Sequence, residues 1–115
     1  MEVPRPLIER SNLTAVQVES LQEYLRVKSH ETTLKEAASS RSVRIGSYYR
    51  TVKQGKDNVK SSVYTVIIAL WLGFVKGEDL RRLLDQAGAG LPELQEEERE
   101  RLGALIEMLV ESIVA

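Results

Sequence analysis

The longest apolar run, VYTVIIALWLGFV over Val63–Val75, most constrains the fold of this chain. It is 13 residues long and contains Gly73, whereas a helix needs about 20 apolar residues to cross a bilayer. The run therefore reads as a buried core helix. Val52, Val59, Val63, Val66, Ile67, Leu70 and Phe74 extend a helical stripe on both sides of Gly55. Glycine in a helix interior costs about 1 kcal/mol relative to alanine. The expectation is either one long bent helix or two abutting ones with a break near Gln54–Asp57. Asp57 or Asn58 would cap the second piece. Gly73 and Gly77 end the apolar helix.

Other segments follow the same period. Residues 1–11 read as an irregular arm, because Pro4 and Pro6 interrupt helix. Asn12 or Thr14 can cap a helix over about 14–28, carrying Leu13, Val16, Val18, Leu21, Tyr24, Leu25 and Val27. Thr33 and Glu36 have the spacing of a capping box. They open a short helix over about 34–41 with Leu34, Ala37 and Ala38 inward. Ser42–Val43 makes a turn, and a further helix starts near Arg44 or Ile45. Leu80, Leu83 and Leu84 mark a short helix over Glu78–Ala87. AGAGLP (Ala87–Pro92) reads as a linker, with Pro92 suited to a first helical turn. The final helix, Glu93–Val114, loads Glu93, Glu96, Glu97 and Glu98 at its positive end. Strand alternation is absent, so the fold class is all-α. The expected organisation is an arm over 1–11, a helix-turn-helix domain over 12–77 that includes the long following helix, and a C-terminal amphipathic helical arm over 78–115.

Composition narrows the chemistry. The 115 residues are 43% hydrophobic, 5% aromatic and 29% charged, which suits a soluble domain with an aliphatic core. Cysteine is absent, which excludes disulfides, thiolate metal sites and thiol catalysis. The single histidine, His30, falls in a polar connector and reads as solvated. Paired carboxylates occur in the Glu-rich run 93–100, where spaced ion pairs explain them better than acid–base catalysis. No glycine loop is placed to cradle phosphate. The chain reads as a non-enzyme with no cofactor and no metal. MEVPRPLIERSN has no apolar leader, so the expected location is cytoplasmic, without membrane association.

Charge is distributed unevenly. The net charge is −1, yet Arg26–Lys60 holds nine cations and three anions, +6, while Glu78 to the end holds four and ten, −6. A basic block of this kind is an electrostatic footprint for phosphate. It coincides with a helix-turn-helix pattern. Ala38 is the small residue where two helices cross, Val43 plugs the corner after the turn, and Tyr48 and Val52 anchor the second helix. The exposed face then carries Arg44, Ser47, Tyr49, Arg50 and Lys53, with Gly46 allowing close approach. Such a helix lies in the major groove, with its N-terminal part against base edges. Lys35, Arg41, Lys56 and Lys60 would hold backbone phosphates.

These residues resemble helix-turn-helix regulators of the class that includes archaeal Tfx proteins and the promoter-reading C-terminal domain of sigma factors. NLTAVQVESLQEYL is similar to their opening helix with its Leu-Thr-x-x-Gln start. TLKEAASSRSVRIGSYYRTVKQ is similar to their Thr-x-x-Glu-x-Ala helix, turn and recognition helix. KDNVKSSVYTVIIAL is similar to the helix that follows. The likeness covers Asn12–Leu70, just over half the chain. It departs from the pattern at Ser42, where the family has Gly, at Arg41, where it has Leu, and at Ala37, where it has a larger apolar residue. The resemblance implies sequence-specific binding of double-stranded DNA and a role in transcription regulation, with Arg44, Ser47, Tyr49, Arg50 and Lys53 facing the groove.

Leu102, Leu105, Ile106, Leu109, Val110 and Ile113 form an apolar face on the last helix. It either folds back on the core or pairs with another copy. A homodimer fits the regulator, since two recognition helices then meet half-sites about one DNA turn apart. A rival reading makes the hairpin and its basic surface a protein-interaction module for an acidic partner, with Tyr24, Tyr48 and Tyr49 as anchors.

Overall fold

A computed structural model describes residues 3–88 and 95–115. Every regular element among them is helical, in the order α1 (Arg5–Arg10), α2 (Ala15–Lys28), α3 (Leu34–Ser40), α4 (Ile45–Leu72), α5 (Gly77–Gly88) and α6 (Glu96–Ile113). None of these helices is long and apolar enough to cross a membrane. The Pro92 start, Glu93 and most of the AGAGLP linker lie outside the described residues.

The helix ends follow from local chemistry. Thr14 caps α2: its hydroxyl accepts the Gln17 N–H at 3.1 Å, and the Gln17 side chain accepts the Thr14 N–H at 3.0 Å. Thr33 likewise accepts the Glu36 N–H at 3.2 Å. The expected second half of that box is missing, because the Glu36 carboxylate accepts from the Thr32 hydroxyl instead, at 2.9 Å. Three helices end alike. After α2, α3 and α4, a residue with positive φ follows the C-cap: His30 at 62°, Ser42 at 56° and Gly73 at 80°. At each the chain closes with paired backbone bonds, as in Val43 N–H to the Ala38 carbonyl and Ser42 N–H to the Ser39 carbonyl. Glycine takes this conformation freely, whereas a residue with a Cβ meets steric resistance. Ser42→Gly is accordingly expected to stabilise the protein by about 1 kcal/mol, read as a rise in the urea midpoint at unchanged m-value.

The described chain divides into two compact units, residues 11–62 and residues 1–10 with 63–115. In the first unit, Ala37 and Ala38 of α3 and Tyr48 and Val52 of α4 are buried together. Leu21, Tyr24 and Val27 of α2 and Leu34 of α3 pack around them. A Cβ on Gly55 would lie 3.0 Å from Leu21 Cδ1. Gly55 is thus a close-approach site between α2 and α4, and α4 runs through it as one helix without the alternative break. Val43 does not plug the corner as expected; it remains 44% exposed. Val16 and Leu25 of α2 are also exposed, outside the stripe that packs inward. A polar clasp joins the start of this unit to α4: the Asn58 amide donates to the Asn12 carbonyl at 3.0 Å, and the Asn12 amide to Ser62 Oγ at 3.2 Å.

In the second unit α6 packs on α5 and α1. The expected arm is partly helical, because Pro6 falls in the first turn of α1, where its missing N–H is no loss. Pro4 lies against Gly103, where an added Cβ would meet its ring carbon at 3.0 Å. Arg10 pairs with Glu107 at 3.4 Å and Glu111 at 3.1 Å. These contacts tie the N-terminal arm to α6, and the compact unit that holds both begins again at Val63, within the span 12–77 expected as one domain. The segment Val63–Val75 departs most from expectation. It is helical only as far as Leu72; its one buried residue, Val75, lies beyond the helix end, and Trp71 is 89% exposed. Its apolar residues occupy nearly every side of the helix, more than the described neighbouring elements cover.

Candidate nucleic-acid interface

Packing inside residues 11–62 dictates which side of α4 faces solvent. Tyr48, Val52 and Gly55 are its buried residues. The Tyr48 hydroxyl donates to the carbonyl of Ser20 at 2.9 Å, and Ser20 is itself buried. Burial pushes the Tyr48 phenol above its usual range. At about 100° per residue, fixing these positions turns Arg50 and Lys53 away from the core. Both are exposed, as are Arg44, Ser47 and Tyr49.

The expected contact residues do not form a single cluster. Tyr49, Lys53, Lys56 and Lys60 line one shallow hollow with Val52 and Asp57. Arg44 and Ser47 lie at the N-terminal end of the helix instead; Arg44 immediately precedes it, and its carbonyl accepts the Tyr48 N–H at 2.9 Å. Lys35 is exposed on α3. Arg41 is half-buried, and its guanidinium donates to Glu19 of α2 at 2.9 Å. The charge at a position expected to be apolar is thus drawn to the surface by a carboxylate. Tyr48 is fully buried and cannot anchor a partner, contrary to the rival expectation.

Two features escaped the residue-by-residue reading. Lys53 donates to Asp57 one turn on, at 2.9 Å. That hydrogen bond holds the Lys53 ammonium above its usual range and the Asp57 carboxyl below its own. The four-residue spacing carried this signal. Lys56 lies 5.1 Å from the centre of the Tyr24 ring, a cation–π contact between α4 and α2. Of the nine cations in residues 11–62, Arg26, Arg41 and Lys53 are ion-paired. The other six, including Lys35, Arg44, Arg50 and Lys60, make no ion pair among the described residues, which leaves an exposed positive face.

The protein is thus all-helical, with a cationic face on the first half of α4. Compared with known protein families, with curated proteins and with solved structures, the chain matches none.

Proposed function

We propose that this chain is a sequence-specific DNA-binding protein and a transcriptional regulator. In this reading α3, the turn over 41–44 and α4 act as a helix-turn-helix, with the recognition helix starting near Arg44. The observation that carries it is the exposed positive face of α4, where Arg50 and Lys53 turn away from the side held by Tyr48, Val52 and Gly55. A helix so presented fits the width of a major groove.

The roles follow from reach and chemistry. Arg44, Ser47 and Arg50 stand on the early turns, which approach base edges in this docking mode. An arginine there can donate two hydrogen bonds to a guanine edge. Tyr49 and Lys53 reach the groove wall. Lys35, Arg41, Lys56 and Lys60 hold phosphates and fix register. Lys53 can exchange its carboxylate for DNA, because that pair is open to solvent on both sides and exposed pairs are weak; for Arg41, Glu19 is the exposed partner that DNA would replace.

The test starts with selection of a preferred duplex from a random library, followed by affinity measurement on that duplex and on a scrambled one. Arg50→Ala is expected to cost about 1–3 kcal/mol on the preferred duplex and less on the scrambled one. Equal losses on both would make Arg50 a phosphate contact. Retention on an acidic polypeptide with no shift of any duplex at low salt would favour the protein-partner reading.

A further inference from the structure

We infer that a second copy of this chain docks on the apolar face of α4 between Val63 and Leu72, with Trp71 inside the contact. The inference rests on the second unit alone and does not depend on DNA binding.

The face is built as two ridges. Val63, Ile67 and Trp71 follow one another at four-residue spacing, and Tyr64, Ile68 and Leu72 form the adjacent row. Their exposures run from 46% to 89%. Side chains four apart on a helix are neighbours, so the rows form one continuous patch. Taken together they equal roughly four fully exposed large residues, on the order of 700 Å² on the scale of a large aromatic. Monomeric proteins rarely leave more than a few hundred Å² of contiguous apolar surface to water. A stable dimer needs about 800 Å² from each partner.

The chemistry of the patch indicates its own copy as the occupant. Ser61–Val75 contains no Asp, Glu, Lys, Arg or His, so it offers no charge for a charged partner to match. A two-fold contact sets the same patch against itself, and two neutral faces meet without like-charge repulsion. The groove between the ridges accepts the i+4 ridge of a second helix, the usual packing of two helices with such rows. The face expected to pair, on α6, is less free: Leu102, Ile106, Leu109 and Ile113 are half-buried, Leu105 and Val110 are exposed at 40% and 39%, and α6 packs on α5 and α1.

Trp71 is the only tryptophan and reports directly on the contact. Sedimentation and acrylamide quenching of the full chain are measured across a dilution series. At high concentration the expected mass is twice 13.0 kDa, with Trp71 shielded from quencher and its emission shifted to the blue. Dilution should restore quenching as the mass halves. Ile67→Glu, at a position exposed in the single chain, should hold the mass at one chain and leave Trp71 quenchable at every concentration, with the helical circular dichroism kept. If that variant fails to fold, the wild-type dilution series decides alone. Overturning results are one-chain mass throughout, a mass beyond two chains, a dimer in which Trp71 stays quenchable, a folded Ile67→Glu variant that still dimerises, or a monomer that co-floats with phosphatidylcholine vesicles.

Discussion

Replacing Tyr48 with alanine is expected to cost about 3–5 kcal/mol, the range for deleting a large buried aromatic. At roughly 0.05–0.15 kcal/mol per residue, that approaches all the stability that residues 11–62 can hold. Tyr48 is 1% exposed. It packs with Ala37, Ala38 and Val52, so its loss opens a cavity where α2, α3 and α4 meet. The two alanines are too small to close it. Tyr48→Phe separates packing from polarity: it keeps the ring and loses the bond to the Ser20 carbonyl, at a cost of about 1 kcal/mol. Urea unfolding followed by circular dichroism reads both variants. A Tyr48→Ala protein as stable as the wild type would remove this residue from the centre of the fold.

The same side chain sets an alkaline limit. Burial raises the folded phenol above its unfolded value, so its contribution is complete below the unfolded value. It is lost as pH rises through the folded one. Stability should therefore fall above about pH 10, and less steeply in Tyr48→Phe.

Much of the helical plan is legible in the sequence because it is local. Thr14 and Thr33 sit one residue before their helices as caps, and the inward positions Ala37, Ala38, Tyr48 and Val52 follow from spacing. Ser42, the departure from the glycine expected in the turn, stands where φ is positive. What the sequence hides is non-local. Nothing in the arm's own residues announces that Pro4 meets Gly103 or that Arg10 reaches Glu107 and Glu111. Gly55 looks like a helix breaker until Leu21 is seen against it, and then it is the residue that lets two helices approach. The apolar run at Val63 misleads for a related reason. Its composition calls for burial, yet most of its described side chains stay exposed, which no local pattern announces.

At the candidate interface, residue types are legible in the sequence, and so is the four-residue spacing of Lys53 and Asp57, while the pairing of Arg41 with Glu19 across two helices is not. Arg41 resembles a charge misplaced in a core until Glu19 of α2 is found 2.9 Å away. Lys53, read alone, is a free base contact, yet Asp57 four residues on takes its ammonium. Both carboxylates lower the local positive potential, so Lys35, Lys56, Lys60, Arg44 and Arg50 carry more of the proposed electrostatic attraction than a count of basic residues implies.

Salt is expected to weaken DNA binding strongly. Neutralising about four phosphates, through Lys35, Arg41, Lys56 and Lys60, gives a slope of about −3.6 in log affinity against log salt. Affinity should then fall about 150-fold between 50 and 200 mM salt. Lys60→Ala should reduce the slope by about one and weaken all duplexes alike, whereas Arg50→Ala should act mainly on the preferred sequence.

The most direct test of DNA reading is therefore a salt-titrated mobility assay on mixed duplexes with the full chain. The account predicts a shift at low salt that disappears with the slope given above. No shift of any duplex at low salt, with the helical signal intact, would contradict it.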